Sequence, residues 1–296
     1  MKKQIKGTIQ LTLTAIIWGV AFVAQSVGMD HVGPWTFTCI RFILGALFLI
    51  PFICVSTKKA GTDVKTIRDK EVRGETVKGG LLCGLFLVSA TLFQQYGIMS
   101  SSVGKAGFIT SLYIIIVPFL SIFLHKKIGL NEWISALIAV AGFYIMSISG
   151  HSGIGRGDVF LLICAFLFSM QILSIDRFID HVDPVSMSCV QFMVSAVVGA
   201  AGMLILERPG ISDLLLAAVP ILYAGIMSSG VGYTLQILGQ KNLNPTPASL
   251  LMSLESVFSA IAGYFILHQI LSTKETIGCL LVFAGVILAQ IKTKKE

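Results

Sequence analysis

Ten runs of predominantly apolar residues, each about twenty long, are set off by short polar or turn-forming stretches along this chain of 296 residues. The first five lie near 7–27, 34–55, 77–97, 103–124 and 131–149, and the second five near 157–175, 184–206, 213–238, 245–267 and 274–291. Lipid offers no partner for backbone N–H and C=O groups, so runs of this length must close their hydrogen bonds within themselves, as helices. The shorter apolar–polar alternation of a membrane β-barrel strand is absent, which excludes that class. Most connections are five to eight residues long, so consecutive helices are antiparallel neighbours; only the stretch 56–76 is longer, and it is the most charged. The pattern predicts an all-α membrane protein of ten transmembrane helices.

Composition agrees: 55% of residues are hydrophobic and 12% charged, with a mean hydropathy of +0.86, too little polar surface to coat a soluble globule of this size. The formal charge of +7 is not a nucleic-acid stripe, because the basic residues sit in the connections. With the N-terminus in the cytoplasm, seventeen lysines and arginines fall on that side, among them Lys2, Lys3, Lys6, seven between Lys58 and Lys78, Lys126, Lys127, Arg177, Lys241 and the C-terminal Lys292, Lys294 and Lys295. Only Arg156, Arg208 and Lys274 fall on the other. That asymmetry predicts a multi-pass protein of the cell membrane with both termini cytoplasmic. The first run, behind its lysines, has no Ala-x-Ala cleavage site and reads as a retained span. The six cysteines, Cys39, Cys54, Cys83, Cys164, Cys189 and Cys279, all lie within apolar runs without a Cys-x-x-Cys pair and read as small packing residues.

The chain repeats itself. Asp30–Phe42 (DHVGPWTFTCIRF) aligns with Asp180–Phe192 (DHVDPVSMSCVQF) at an offset of 150, with six of thirteen positions identical. Further on, Gln94 and Gly97 match Gln236 and Gly239, Ala106 matches Ala248, and Ser111 and Leu112 match Ser253 and Leu254, all at an offset of 142. Glu132, Ala141 and Gly142 fall on Glu275, Ala284 and Gly285 at 143. Residues 1–150 and 151–296 are therefore two copies of one five-helix unit. Because five is odd, equivalent connections lie on opposite sides of the membrane, so the repeat is inverted. Such halves can exchange conformations around a site at the midplane, which favours transport over a merely enlarged scaffold.

Three charges lie inside spans: Arg41, Lys105 and Glu255. Each is costly in hydrocarbon, about 2.5–3.5 kcal/mol at a helix centre, and should face a cavity or a partner. Two readings stand: a structural Arg–Glu pair with a snorkelling Lys105, or charges that orient a polar substrate. Glu255 lies deepest. The repeat places Tyr113 opposite Glu255, Gln191 opposite Arg41 and Pro247 opposite Lys105, an asymmetric lining on a symmetric scaffold. Ala106, Thr110 and Tyr113 share a helical face. Gln94, Gln95 and Gln236 are amides in apolar runs, expected to face inward for interhelical hydrogen bonds or substrate, and Trp18 sits mid-span rather than at the interface. The substrate-binding set expected from sequence is thus Glu255, Arg41, Lys105, Tyr113, Gln94, Gln95, Trp18 and Gln236. Ser249, Ser253, Ser256, Ala260 and Gly263 form a small-residue stripe suited to close helix packing. Pro118 and Pro220 are candidate kinks.

The residues AIIWGVAF (Ala15–Phe22), Pro34 with Arg41 and Phe42, GKAGFITSLYIIIVP (Gly104–Pro118), Gly157–Asp158, PASLLMSLESVF (Pro247–Phe258) and the Ala284–Gly285 pair, in this order and in both halves, resemble the drug/metabolite transporter superfamily, specifically its ten-span EamA branch. The resemblance covers nearly the whole chain. It implies a secondary transporter with a central cavity lined mainly by spans 1–4 and 6–9, spans 5 and 10 peripheral, and export of amino acids, related metabolites or drugs without ATP hydrolysis. The four-span multidrug members carry a carboxylate in the first helix for proton exchange; the runs 7–27 and 157–175 contain no such Asp or Glu before Asp158 at the edge of the second. The expected partners are a small-molecule substrate and the bilayer, not nucleic acid, and a homodimer through spans 5 and 10 is left open.

A membrane-embedded enzyme is the main rival. Gly155–Asp158 spell GxGD, as in intramembrane aspartyl proteases, but a second aspartate within a span is missing. Zinc, Walker and GxSxG patterns are absent too, so neither catalytic residues, metal nor cofactor are expected. A channel or receptor is the other alternative; no acidic ring or filter-like loop is evident, and the connections are too short for a sensory domain. His31, His125, His151, His181 and His268 lie at span ends or in connections, where solvation is the ordinary outcome.

Overall fold

The computed structural model of the protein describes residues 2–59, 66–124, 129–147, 155–270 and 272–290, and no strand occurs among them. The expected connection residues Lys65, His125, Lys126, Lys127, His151, Lys292, Lys294 and Lys295 lie outside the described residues. The first half comprises α1 (Lys2–Met29), α2 (Pro34–Lys59), α3 (Thr66–Ile98), α4 (Val103–Thr110), α5 (Tyr113–Phe123) and α6 (Leu130–Ser147). The second comprises α7 (Arg156–Phe178), α8 (Pro184–Gly202) continued by a π turn (Met203–Glu207), α9 (Ile211–Leu216), α10 (Ala218–Leu222), a π segment (Tyr223–Tyr233), α11 (Thr234–Gln240), α12 (Pro245–Met252), α13 (Glu255–Leu267) and α14 (Thr273–Gln290).

Among the described residues eight spans are long and apolar enough to cross a membrane: Lys2–Met29, Pro34–Val55, Glu71–Ile98, Val103–Phe123, Arg156–Phe178, Pro184–Glu207, Ala218–Gln240 and Pro245–Leu267. α6 and α14, at the expected fifth and tenth positions, carry shorter apolar stretches, Trp133–Gly142 and Thr276–Gly285. The largest departure from the expected bounds is α3, which starts eleven residues ahead of position 77. Its extra turns, TIRDKEVRGET, are rich in good helix formers and prolong the helix beyond the apolar run. Lys78 and Glu75 pair at 2.9 Å there, three residues apart on one face.

The distribution of side chains is the reverse of a soluble protein's. Leu204, Ile205, Leu206, Val197 and Phe265 stand exposed, whereas Gln25, Arg41, Gln94, Gln171, Gln191, Gln236 and Glu255 are buried. Apolar residues face outward where lipid is the solvent, and the amides must find partners inside. Among the described side chains four cysteines, Cys39, Cys83, Cys164 and Cys189, are buried as expected of packing residues, but Cys54 is exposed, near the end of its helix; the Cys279 side chain lies outside the described residues.

Helix starts show how local sequence fixes these elements. Pro34 and Pro184 each open a helix, where a missing N–H costs nothing. Ahead of Pro184, the Asp183 carboxylate caps α8 by accepting from Ser186 N at 2.8 Å. The equivalent residue before Pro34 is Gly33, which cannot. Glu207, from the far end of the π turn, fills that role for α2: its carboxylate oxygens accept from Trp35 N at 2.9 Å and Thr36 N at 2.7 Å. A Cβ at position 33 would lie 2.3 Å from this carboxyl, so the glycine makes room for the distant cap.

The fourth and ninth apolar runs are each broken in two, α4 from α5 at Ser111–Leu112 and α12 from α13 at Ser253–Leu254. These breaks are equivalent in the repeat, 142 residues apart. Proline is not their cause: Pro118 lies within α5, past the break, and the second break has no proline at all. Serine hydroxyls compete for the carbonyls instead. Ser111 Oγ donates to Gly107 O at 2.8 Å, and Ser253, Ser256 and Ser259 each donate to the carbonyl three residues back at 2.7–2.8 Å. The residues of the small-residue stripe are buried, with Ala260 facing Gly104 of α4, and beside them a Cβ on Gly19 would lie 2.4 Å from Phe258 Cβ, so α1 and α13 nearly touch backbones there.

Contacts between the halves come in exchangeable pairs. α3 packs on α7, as α1 does on the π segment and α11; α1 packs on α13, as α7 does on α4 and α5. α4 packs on α13 as α12 does on α5, and α2 with α8 and α6 with α14 each join a helix to its own repeat equivalent.

Candidate functional site

At the centre of the bundle lies a narrow seam. Its free volume is about 20 Å³, room for a water molecule and little more. Charged and amide side chains from both halves line it, Gln25, Arg41, Gln94, Gln236 and Glu255, together with the aromatics Trp18, Phe22, Tyr113, Phe168 and Tyr233.

Two features of the sequence build this seam. The first is the glycine- and serine-rich segment Tyr223–Tyr233, which winds as a π-helix. Its wider turns free backbone carbonyls, and α1 reaches two of them: Trp18 Nε1 donates to Ser228 O at 3.2 Å, and Thr14 Oγ1, shared with Gln10 O at 3.0 Å, approaches Gly232 O at 3.2 Å. Gly232 is required where Trp18 lies, because a Cβ would stand 2.7 Å from Nε1. The same segment presents its hydroxyls to Arg41. The second feature is the pair of helix breaks, which cross so that Tyr113, the first residue of α5, meets Glu255, the first of α13. The Tyr113 hydroxyl donates to Glu255 Oε1 at 2.8 Å, and Ser111 Oγ approaches Ser253 O at 3.5 Å.

Arg41 is 2% exposed. Its Nε donates to Ser229 Oγ at 3.2 Å, one terminal nitrogen to Gln25 Oε1 at 3.2 Å and the other to Ser228 Oγ at 3.0 Å, and the guanidinium lies 5.1 Å from the Phe42 ring centre. All these partners are neutral. Glu255 is 3% exposed and is held by the Tyr113 hydroxyl at the first turn of α13, where the helix dipole favours a negative charge. Among the described residues neither charge takes part in an ion pair. The structural Arg–Glu pair, one of the two readings of the sequence, does not form.

Of the eight residues expected from sequence, the structure brings Trp18, Arg41, Gln94, Tyr113, Gln236 and Glu255 together in the seam. Lys105 is elsewhere. Near the start of α4 it reaches α7, where Nζ lies 2.8 Å from Asp158 Oδ2; that carboxylate also accepts from Gly155 N at 2.9 Å and Ser101 Oγ at 3.5 Å. Asp158 therefore caps a helix and pairs with a lysine, which accounts for the GxGD motif in structural terms. Gln95, next to Gln94, is fully buried but points away from the seam, since adjacent residues on a helix face different directions. Sequence reasoning missed Gln25, Ser228, Ser229 and Tyr233. Gln25 carried a legible signal, an amide within an apolar run; the serines did not, because their role depends on the π winding.

The sequence profile of the EamA-like transporter family matches residues 5–148 and again residues 155–290. The chain belongs to the EamA-like transporter family. One match falls in each half of the chain. Among its relatives, an uncharacterized transporter of Archaeoglobus fulgidus is 25% identical over 98% of this chain and 87% of its own length. The uncharacterized transporter YoaV of Bacillus subtilis is 23% identical, with 97% of each chain covered. A chloroplastic WAT1-related protein of Arabidopsis thaliana is 23% identical over 92% of this chain and 66% of its own. One crystal structure shares the fold, with a TM-score of 0.73, 18% identity and 96% of each chain covered. This EamA-like protein is thus a multi-pass membrane protein of the drug/metabolite transporter type, and the names of its relatives point to transport rather than catalysis.

Proposed function

We propose that the protein is an alternating-access carrier of the cell membrane that moves a small zwitterionic or carboxylate-bearing metabolite, in the export direction, through the central seam. The observation that carries this reading is the pairing of a buried cation and a buried acid in one seam without an ion pair between them. A guanidinium satisfied only by neutral groups retains its attraction for a carboxylate, and a carboxyl held only by neutral hydroxyls can receive an ammonium. The aromatic walls suit the apolar body of such a molecule. The seam in this structure is contracted, so loading requires the halves to separate, as alternating access demands.

Ten spans in two inverted five-helix halves, both termini cytoplasmic, form the frame of this reading. The exchangeable pairs of helix contacts and the equivalent helix breaks support it, because a two-fold axis in the membrane plane produces both, with spans 2 and 7, 4 and 9, and 5 and 10 meeting across the axis. The seventeen-to-three distribution of basic residues supports the orientation.

The test is flux. Purified protein is screened by thermal shift against amino acids, nucleosides, sugars and lipophilic cations, and transport of the compound giving the largest shift is measured in proteoliposomes. Arg41→Gln and Glu255→Gln are expected to lower flux by about tenfold or more, the effect of losing one buried charged contact, in protein that still melts cooperatively. Wild-type flux in both variants would make the two charges structural.

A further inference from the structure

On the membrane face that carries the N-terminus, a second and larger cavity opens. Its volume is about 410 Å³, within the range of small-molecule sites. Its walls come from the end of α7, the start of α1 and the connection from α11 to α12, and they are polar: Gln4, Asp176, Asp180, Gln240, Lys241 and Asn242. Two acids against one base give the recess a formal charge of −1, in a protein whose overall charge is +7.

The recess lies about one helical turn from the central seam. Gln236 and Gln240 are four residues apart on α11, and Ile172 and Asp176 four apart on α7, a rise of about 6 Å. The first of each pair lines the seam and the second lines the recess. Between the two chambers Gln240 Nε2 donates to Ile172 O at 3.0 Å, bridging α11 to α7. Behind it is an amide cluster: Gln236 Nε2 donates to Gln171 Oε1 at 3.0 Å, and Gln171 Nε2 approaches Gln191 Oε1 at 3.3 Å. Gln240 is only 3% exposed, and its Oε1 has no hydrogen-bond partner among the described residues. A buried carbonyl oxygen left unpaired beside an acidic recess is an acceptor waiting for a donor.

We infer that this recess is a loading site for the ammonium-bearing end of a small molecule, and that Gln240 is the partition it crosses to reach the central seam. Asp176 and Asp180 attract the cation, the free Gln240 oxygen accepts one of its N–H groups, and the bond from Gln240 to Ile172 is exchanged as the molecule passes. An amide serves this purpose because it donates and accepts from one side chain and carries no charge of its own to trap the cargo. What lies beyond the partition rests on the carrier reading of the seam; the recess does not depend on it.

The test uses the full chain in lipid nanodiscs, where both faces can be reached, with Cys54 and Cys279 replaced by serine and Asn242→Cys as a reporter in the recess wall. Two methanethiosulfonates of similar size, one bearing a trimethylammonioethyl and one a sulfonatoethyl group, are compared after normalising each to its rate with free cysteine. The cationic reagent is expected to react about tenfold faster, as a recess of net negative charge concentrates cations. Asp180→Asn should remove most of that bias, and millimolar L-alaninamide should slow labelling where propionate does not. Equal normalised rates, a bias indifferent to both Asp180→Asn and Asp176→Asn, or equal protection by the two compounds would overturn the loading site. For the partition the reporter is Ile172→Cys, and Gln240→Ala should raise its labelling rate about tenfold by opening the wall. Unchanged labelling in both Gln240→Ala and Gln240→Gly would overturn the partition. Failure of the seam reading appears separately, as normal flux in the Arg41 and Glu255 variants, since the labelling bias is read without transport.

Discussion

A buried charge in a membrane protein is informative through the company it keeps, and here three intramembrane charges keep three kinds. Lys105 has an aspartate, Arg41 has neutral donors' oxygens and an aromatic ring, and Glu255 has a tyrosine. The sequence could rank their cost but not assign their partners, because Asp158 is 53 residues from Lys105 and becomes its neighbour only through the packing of α4 on α7. Lys105 retains partial exposure, 32% of its side chain, so Lys105→Met is expected to cost no more than about 1 kcal/mol; the melting temperature of the purified variant checks this. Tyr113→Phe should cost more, about 1–3 kcal/mol, because it strands a fully buried carboxyl. Glu255→Gln keeps an acceptor for the tyrosine hydroxyl and should melt closer to wild type than Tyr113→Phe does. The reverse order would mean that the hydrogen bond between the two is not what holds Glu255 in place.

At the scale of elements, the apolar runs located the helices to within a few residues except at the start of α3, since length in lipid is dictated by the backbone's need for internal hydrogen bonds. What they could not show is winding. Tyr223–Tyr233 reads as one more apolar stretch, and its glycines and serines gave no measure of how far the turns would widen. The breaks of the fourth and ninth runs were hidden similarly, behind prolines that suggested kinks elsewhere. The capping of α2 was readable in part. The repeat alignment sets Gly33 against Asp183, so a cap present in one copy is missing from the other, yet that Glu207 supplies it from 171 residues away required the fold. Glu207→Ala is expected to destabilise the protein by about 1–2 kcal/mol through the uncapped N–H groups of Trp35 and Thr36. Adding Gly33→Asp to that variant should recover much of the loss, since the carboxylate then comes from the neighbouring residue as it does at Asp183. Thermal denaturation of the single and double variants decides; no recovery would mean that Glu207 acts as a tie between α2 and the π turn rather than as a cap.

For the molecule as a whole, the organising feature is the internal repeat read from the sequence, and the family profile matches residues 5–148 and again residues 155–290. Orientation is open to direct measurement. With Cys54 and Cys279 replaced by serine, a cysteine at His181, exposed on the face of the N-terminus, should resist an impermeant thiol reagent in intact spheroplasts, whereas one at His31, exposed on the opposite face, should react. Labelling at His181 would reverse the assignment. The meeting of Tyr113 and Glu255, 142 residues apart, carries a historical consequence. A residue that faces its own copy cannot, in a pair of identical subunits, face anything but itself. Two tyrosines or two glutamates would have met at this point in an unfused ancestor, and two glutamates there would repel in a medium that screens them poorly. The complementary couple became available only once the two copies were free to diverge. Which copy received the acid was then arbitrary, so Tyr113→Glu combined with Glu255→Tyr should retain a stable fold, while Tyr113→Glu alone, which sets two carboxyls face to face, should not.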